Sequence, residues 1–520
     1  MTNLAGIGKW SGALFVLTLI AGCTTLGALA QTETPIPTLP LTLTPTPAEP
    51  QIGITLQPRP ERIVCRSTLT LPANHPLQYE AEATLELQRH TLSFTLETSY
   101  LNQVETPLNT VTFYLPLGDR PASFVLSTLS SAPPATSYEA KGRRLQITLA
   151  DPLPPGCAIK VKLGGRVTLT PIAELTGGNF GYFGYSERQH NLGEWLPVLA
   201  PYLNGEWLIP KEWTVGETDV VGSADYRVTF RVNGAPSPQK LEVAGPGEVT
   251  RVDATTWRFE VNNARTFAVS VSASYLKDST ITQTDGDQGL IIDLYRYPGG
   301  KDYAAPSHAL AVARDAASVY QRLFGQPPYR RIAVVQGDFP DGMEFSGLVF
   351  VSTKYFNQYE GKPDTWLTLI TAHEIAHQWW YASVGSEQGQ YPYLDESLAI
   401  YSELLYLEQK APELVEWWWK WRIELYKPSG FVDSTVYEFK QLRPYINAVY
   451  LRGAQLWGEL RTGLGDEAFF KWLRDYADVG RGKIVTPKTL WGLLTPEQYA
   501  KTAAIRAKYF KDSDPLGLSR

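Results

Sequence analysis

The segment Thr371-Ala372-His373-Glu374-Ile375-Ala376-His377 constrains this chain more than any other stretch. Histidines four positions apart share one side of a helix, about one turn apart, so both imidazoles can reach one metal ion if the stretch is helical. The spacing suits Zn2+ held at about 2.0–2.1 Å by each ring nitrogen. Glu374 follows the first histidine and is placed to act on a water at the metal as general base. Two ligands do not complete a site. A third has to come from a second element packed against the first.

Glu396 is the candidate third ligand, nineteen positions after His377 with eighteen residues between, within Leu394-Asp395-Glu396-Ser397-Leu398-Ala399. Two histidines and a carboxylate leave a fourth zinc position open for water, as catalytic zinc requires; closed structural sites use four protein ligands. An acid here also suits the start of a helix, where the macrodipole favours negative charge. Cys23, Cys65 and Cys157 are the three cysteines, and none sits near the histidine pair, which argues against a Cys-ligated zinc.

At 520 residues the chain is long for one hydrophobic core, so two or more domains are expected. A net charge of −6 and the lack of a basic stripe exclude nucleic acid as an expected partner. Residues 1–22 hold Lys9 and a short apolar run ending Leu19-Ile20-Ala21-Gly22-Cys23, which reads as a signal peptide. Its end resembles a bacterial lipoprotein cleavage box, which implies a lipidated Cys23 anchoring the protein to the outer face of a cell membrane. The alternative is an ordinary signal peptide cut near Ala28-Leu29-Ala30. Residues 23–56 form a Thr/Pro-rich linker with too little apolar surface for a core. If the protein is exported, Cys65 and Cys157 can form a disulfide; sequence alone does not bring them together.

Residues 57–280 are expected to form an N-terminal antiparallel β sandwich-like domain, from alternating runs such as Tyr226-Arg227-Val228-Thr229-Phe230 punctuated by Gly, Pro, Asn and Asp. Within it, 177–207 is aromatic, Gly-rich and without periodicity, a long loop of the kind that carries function. Residues 281–520 read as a strand and helix alternation turning helical after Asp364, an expected N-cap. Helices are predicted over 304–324, 395–409, 412–426, 446–462, 467–476 and 496–510. The aromatic cluster Trp417-Trp418-Trp419 with Trp421 reads as packing rather than a ligand platform, since consecutive residues cannot share one helix face.

Together these motifs resemble the aminopeptidase-N family of zinc metallopeptidases, gluzincins that include leukotriene hydrolase-type members. The family carries His-Glu-x-x-His, eighteen residues and then Glu in an Asn-Glu-x-x-Ala-like segment. Here Glu396 and Ala399 match, Asp395 replaces the Asn, and His377-Gln378-Trp379 also matches. The resemblance implies a thermolysin-like α+β, mostly helical catalytic domain at 281–520 and one Zn2+ per chain on His373, His377 and Glu396. It implies that Gly342-Met343-Glu344-Phe345 is the substrate-binding loop, with Glu344 on the free amino group of a peptide and the adjacent backbone on the extended chain. Gly342 and Phe345 depart from the family's Ala and Asn, and Phe345 puts the exopeptidase inference in question. Tyr450, in Tyr450-Leu451-Arg452-Gly453-Ala454, matches the family's oxyanion-stabilising tyrosine, with Tyr445 as its rival. Glu403, seven residues after Glu396, corresponds to a glutamate that supports a zinc-binding histidine.

The expected activity is thus zinc-dependent removal of N-terminal residues from peptides outside the cytoplasm. The alternatives are a zinc endopeptidase of relaxed end-recognition and an inactive, surface-tethered binding module. No counterpart of the large C-terminal domain of longer relatives is expected, and a more open site is expected in turn. Oligomeric state is not legible.

Overall fold

The computed structural model describes residues 65–120, 123–172, 182–282, 289–298 and 304–517. The signal peptide, Cys23 and the linker lie outside the described residues, as do positions 177–181 of the aromatic loop. Among the described residues no helix is long and apolar enough to cross a membrane.

The N-terminal part is built of sheets, as the alternating pattern predicts. Its largest sheet has seven strands in the order 248–251, 256–264, 224–233, 77–86, 91–101, 158–168 and 124–132. Leu77–Glu86 shows why it forms: Leu77, Tyr79, Ala81, Ala83 and Leu85 are buried while the residues between them are not. The sheet is mixed rather than wholly antiparallel. Leu77–Glu86 pairs antiparallel with Thr91–Leu101 on one side and parallel with Ala224–Asn233 on the other. A four-stranded sheet in the order 198–199, 108–114, 144–153 and 135–141 contributes Val111, Phe113, Leu145 and Ile147 to the same apolar core. Cys65 and Cys157 form a disulfide, joining the start of the described chain to the strand Ala158–Thr168.

The second part begins on a five-stranded sheet in the order 276–281, 291–296, 331–337, 348–352 and 342–345. Its first strand starts at Leu276, because that segment is the antiparallel partner of Ile291–Arg296. Five main helices follow: α1 (Ala304–Phe324), α2 (Trp366–Ala376), α3 (Glu396–Lys410), α4 (Arg452–Leu464) and α5 (Asp466–Gly480). Every residue of α2 from Leu367 to Ala376 is buried, so the motif helix runs through the centre of the domain rather than along its surface. Asp364 is not its cap; the helix starts after Thr365, which is extended.

Three predicted helices are interrupted: 496–510 breaks at Thr502 into Pro496–Lys501 and Ala503–Tyr509, and the other two contain π-helical segments. The stretch 412–426 contains a π-helical segment at Trp418–Ile423, and 446–462 opens with another at Ile446–Leu451. Such wide turns are rare and occur mostly at functional sites.

Arg265 ties the two parts together. Its guanidinium donates to the carbonyls of Val221 at 3.0 Å, Tyr381 at 2.9 Å, Ser383 at 3.2 Å and Lys483 at 2.6 Å. The Thr266 hydroxyl meets the Tyr381 hydroxyl at 2.5 Å, and the Trp213 indole donates to the Phe439 carbonyl at 2.7 Å.

Candidate active site

His373 and Glu374 lie in the last turn of α2, and His377 follows as its C-cap, still in the right-handed helical region. The two imidazoles therefore keep their one-turn spacing. Glu396 opens α3, which packs against α2 and brings its carboxylate to the pair. Its Oε2 stands 3.4 Å from His373 Nε2 and 3.6 Å from His377 Nε2. One ligand atom from each of the three residues lies within 4.8 Å of the others, and all three are buried.

The outer nitrogens decide which face of each ring is left for a metal. His373 Nδ1 faces Glu403 Oε1 at 3.1 Å. Glu403 is in turn gripped by Arg422, through Nε at 3.0 Å and Nη2 at 2.8 Å, and by the Trp418 indole at 2.9 Å. Burial opposes the ionisation of Glu403, but Arg422 and His373 carry its pKa below the usual range. His377 Nδ1 is hydrogen-bonded to the Trp380 carbonyl at 3.2 Å, while Asp395 Oδ1 lies 2.8 Å away without accepting a hydrogen bond. With Nδ1 of both rings engaged on these acceptors, both Nε2 lone pairs face the Glu396 carboxylate.

This donor set fits a zinc ion. Two neutral imidazole nitrogens and one carboxylate are its usual catalytic ligands. The electrostatics point the same way. Burial opposes protonation of His373, yet Glu396 and Glu403 raise its pKa to about 10. Positive charge is thus favoured at the position between His373 and Glu396. Burial, then mutual repulsion, pushes Glu344, Glu374 and Asp395 well above the usual carboxylate range. A divalent cation among these acids inverts that balance.

Glu374 turns toward the strand Gly342–Phe345, at the edge of the five-stranded sheet. A Cβ on Gly342 would stand 2.1 Å from Glu374 Oε1 and 2.8 Å from Ile370 Cγ2. The carboxylate thus rests in the hollow that glycine leaves. Gly342→Ala is expected to displace Glu374 and lower kcat by about tenfold or more, given the sensitivity of catalysis to misplacement of about 1 Å. Steady-state kinetics at unchanged zinc content checks this; an unchanged kcat would contradict it.

Strand alternation settles what Phe345 does. Met343 and Phe345 share one face and pack into an apolar cluster with Tyr182, Phe339 and Phe350. The Phe345 ring reaches Gly193 of the N-terminal part, where a Cβ would be 2.6 Å from it. Any contact of Met343 with substrate is therefore through its backbone. Glu344 points the other way, and its Oε1 is 3.9 Å from His377 Nδ1. Its carboxylate oxygens are buried without a hydrogen-bond partner among the described residues. The charges acting on it are acids: Glu374, Glu396, Asp395 and Glu217. The strand is held at one end by the Tyr182 hydroxyl on the Gly342 carbonyl at 2.6 Å, and at the other by Gln378 on the Phe345 carbonyl at 3.3 Å.

Tyr450 sits in the second π-helical segment. Its ring lies parallel to that of His373, 6.2 Å between centroids and 6° between planes. Tyr445 packs edge-on against Tyr450 and against Gly216 of the N-terminal part. His373, Glu374, Glu396 and Tyr450 are at most 5 % exposed. From the N-terminal part, Tyr182 reaches the Gly342 carbonyl and the Gly216 turn lies against Tyr445.

Sequence reasoning named Asp395 only as a departure and gave Arg422, Trp418, Gln378 and Glu217 no role at the site. Gln378 links the motif helix to the strand Gly342–Phe345 and also accepts from the Gly347 amide at 2.9 Å. Its position directly after His377 was the available signal. Trp418 is fully buried on Glu403, while Trp417, Trp421 and Trp366 stack on one another beside it.

Residues 314–509 match the family model described as the Peptidase family M1 domain. Solved structures also resemble the chain. An M1 zinc metallopeptidase from Deinococcus radiodurans is 18% identical, with a TM-score of 0.57 over 84% of this chain and 94% of that one. A mutant form from the same organism, bound to a Tyr-Ser-Ala substrate, is 18% identical with a TM-score of 0.59 over 84% and 96%. A two-domain M1 zinc metallopeptidase mutant bound to L-arginine is 19% identical, with a TM-score of 0.60 over 85% and 96%.

Proposed function

We propose that this chain is a zinc-dependent aminopeptidase holding one Zn2+ on His373, His377 and Glu396, a reading supported by the match of residues 314–509 to the Peptidase family M1 domain. The observation that carries the aminopeptidase reading is the buried Glu344 carboxylate, beside the ligand His377 and surrounded by acids. Such a group suits the free ammonium of a peptide. Phe345 lends no support to an endopeptidase, since its side chain faces the apolar cluster. The similar structures bound to a peptide substrate and to an amino acid support the same substrate class.

Bound at this site, zinc supplies a Lewis acid that polarises a carbonyl and lowers the pKa of water toward about 7. The residues of the chain do the rest. Glu344 accepts from the substrate's ammonium and so sets the scissile bond one residue in from the terminus. Glu374 takes the proton of the attacking water and returns it to the leaving amine. Tyr450 donates its hydroxyl hydrogen to the oxyanion that forms on the carbonyl.

The test is a panel of aminoacyl-fluorogenic substrates and the same peptides N-acetylated, with and without a chelator. Cleavage of the free-amine members alone, lost on chelation and restored by zinc, is the expected result. Equal cleavage of blocked peptides would overturn the aminopeptidase reading. Activity indifferent to chelation would overturn the zinc chemistry. Tyr450→Phe is expected to lower kcat about 10²–10³-fold with KM little changed, as for loss of one oxyanion donor. A Tyr445→Phe variant serves as the comparison, and a larger loss there would reassign the role.

We also propose that the enzyme works outside the cytoplasm, anchored to the cell membrane by lipid on Cys23. The Cys65–Cys157 disulfide supports an oxidising compartment. Palmitate labelling of the wild type but not of Cys23→Ala is the expected result; equal labelling, or none, would remove the anchor.

A further inference from the structure

We infer that Asp395 is a second acceptor for the substrate's ammonium, so that one oxygen of Asp395 and one of Glu344 close on the same nitrogen. The inference rests on the aminopeptidase reading above and adds to it a residue that has no role there.

Local structure does not account for an acid at 395. Asp395 precedes α3 at the position from which a side chain usually caps a helix, yet its carboxylate makes no capping hydrogen bond. Its Oδ1 is buried and without a hydrogen-bond partner among the described residues. His377 Nδ1 lies 2.8 Å away but gives its hydrogen to the Trp380 carbonyl. A buried carboxylate oxygen without a donor is costly, and such an atom points to a ligand that brings the donor with it.

Glu344 is in the same condition. Both of its oxygens are buried without a partner among the described residues, and the two side chains are at most 1 % exposed. One oxygen of Glu344 and one of Asp395 lie within 4.8 Å of each other. A tetrahedral ammonium donating to two oxygens at about 2.8 Å spans roughly 4.6 Å between them, which that separation admits. Glu344, Asp395 and His377 are also grouped closely enough to surround a metal ion. His377 Nδ1 carries a hydrogen, however, because a carbonyl only accepts, so it has no lone pair to offer there. Two carboxylates remain, and the charges acting on them are all acids. Glu374, Glu396 and Glu217 act on both, and Asp395 acts on Glu344. An asparagine, as in the pattern this segment resembles, would bring no charge to this place; the aspartate adds one.

The experiment compares two zinc-binding inhibitors that differ by one group, the hydroxamate of leucine and its des-amino counterpart. The ratio of their inhibition constants isolates the ammonium. It is measured on zinc-loaded wild type, Asp395→Asn, Asp395→Glu and Glu344→Gln, with kcat and KM on an aminoacyl-fluorogenic substrate. Asp395→Asn is expected to shrink the ratio about tenfold or more by weakening the amine-bearing inhibitor alone, as for loss of a hydrogen bond between charged groups. KM should rise by a similar factor while kcat moves by less than about threefold, because the contact is made in the ground and transition states alike. Asp395→Glu keeps the charge and should recover part of the ratio, and Glu344→Gln should shrink it as well. An unchanged ratio in Asp395→Asn would overturn the inference and leave the aminopeptidase standing. So would equal weakening of both inhibitors with a fall in zinc affinity, the signature of a disturbed metal site. So would a second equivalent of zinc held by wild type and lost in Asp395→Asn, which would make the two acids a metal site. Should Asp395→Asn fail to fold, Asp395→Ser is measured in its place and the same outcomes decide. A wild type that does not distinguish the two inhibitors fails the aminopeptidase reading itself, a different result from these.

Discussion

Glu374→Gln is expected to lower kcat by about 10²–10⁴-fold while the protein still takes up one zinc per chain. The substitution is nearly isosteric, and the amide fits the hollow over Gly342 that the carboxylate occupies. His373, His377 and Glu396 keep their positions, so binding of the metal is retained while the proton acceptor is lost. KM should move little, because the role proposed for Glu374 is on the attacking water and the leaving amine rather than on the peptide's ends. Asp341 is a candidate to substitute as base: its charge acts on Glu374, and burial raises its own pKa to about 7. It is committed elsewhere, however, accepting from the Tyr355 hydroxyl at 2.7 Å and the Gly342 amide at 3.1 Å. Stopped-flow or steady-state rates alongside a metal assay decide the matter. Wild-type turnover in the variant would remove Glu374 from the mechanism.

Arg265→Ala is expected to cost about 3–5 kcal/mol of stability, a larger loss than most single substitutions produce. The guanidinium is buried and its charge is unfavourable there: burial brings its pKa down to about 10. It persists because four backbone carbonyls accept from it, Val221 on one side of the junction and Tyr381, Ser383 and Lys483 on the other. Truncation leaves these carbonyls buried without their donor, which costs more than the loss of the bonds alone. Lysine is not expected to rescue, since a compact ammonium cannot spread three donors in the plane of that fork. Calorimetry should show a lower midpoint and a broadened or split transition as the two parts uncouple. A midpoint within about 2 °C of wild type would show that the apolar contacts across the junction suffice.

What was legible in the sequence follows the range of the interactions involved. The histidine pair needs only one turn of helix, and period-2 burial in Leu77–Glu86 needs only a strand, so both can be read locally. The parallel pairing of Leu77–Glu86 with Ala224–Asn233 joins segments far apart in sequence, and nothing in either strand encodes it. Arg422 was hidden for a related reason: a regular helix over 412–426 does not reveal which residue a π-turn aims at Glu403. Phe345 was legible and misjudged. The same alternation that identified strands places Met343 and Phe345 on one face and Gly342 and Glu344 on the other, so its bulk never enters the substrate side.

The π-helical segment at Ile446–Leu451 makes the phase of Tyr450 a matter of chain length. A π-turn closes on the fifth residue back instead of the fourth, which amounts to one residue inserted in an α-helix. Each residue of an α-helix advances the side chains by about 100° around the axis. Removing one residue before Tyr450 would let α4 run on as a regular helix, with its own hydrogen bonds intact. It would also swing the phenol by roughly a quarter turn, away from the His373 ring it now lies parallel to. The wide turn is therefore a counted spacer: the helix would gain regularity from its loss, and the oxyanion donor proposed at Tyr450 would lose its aim.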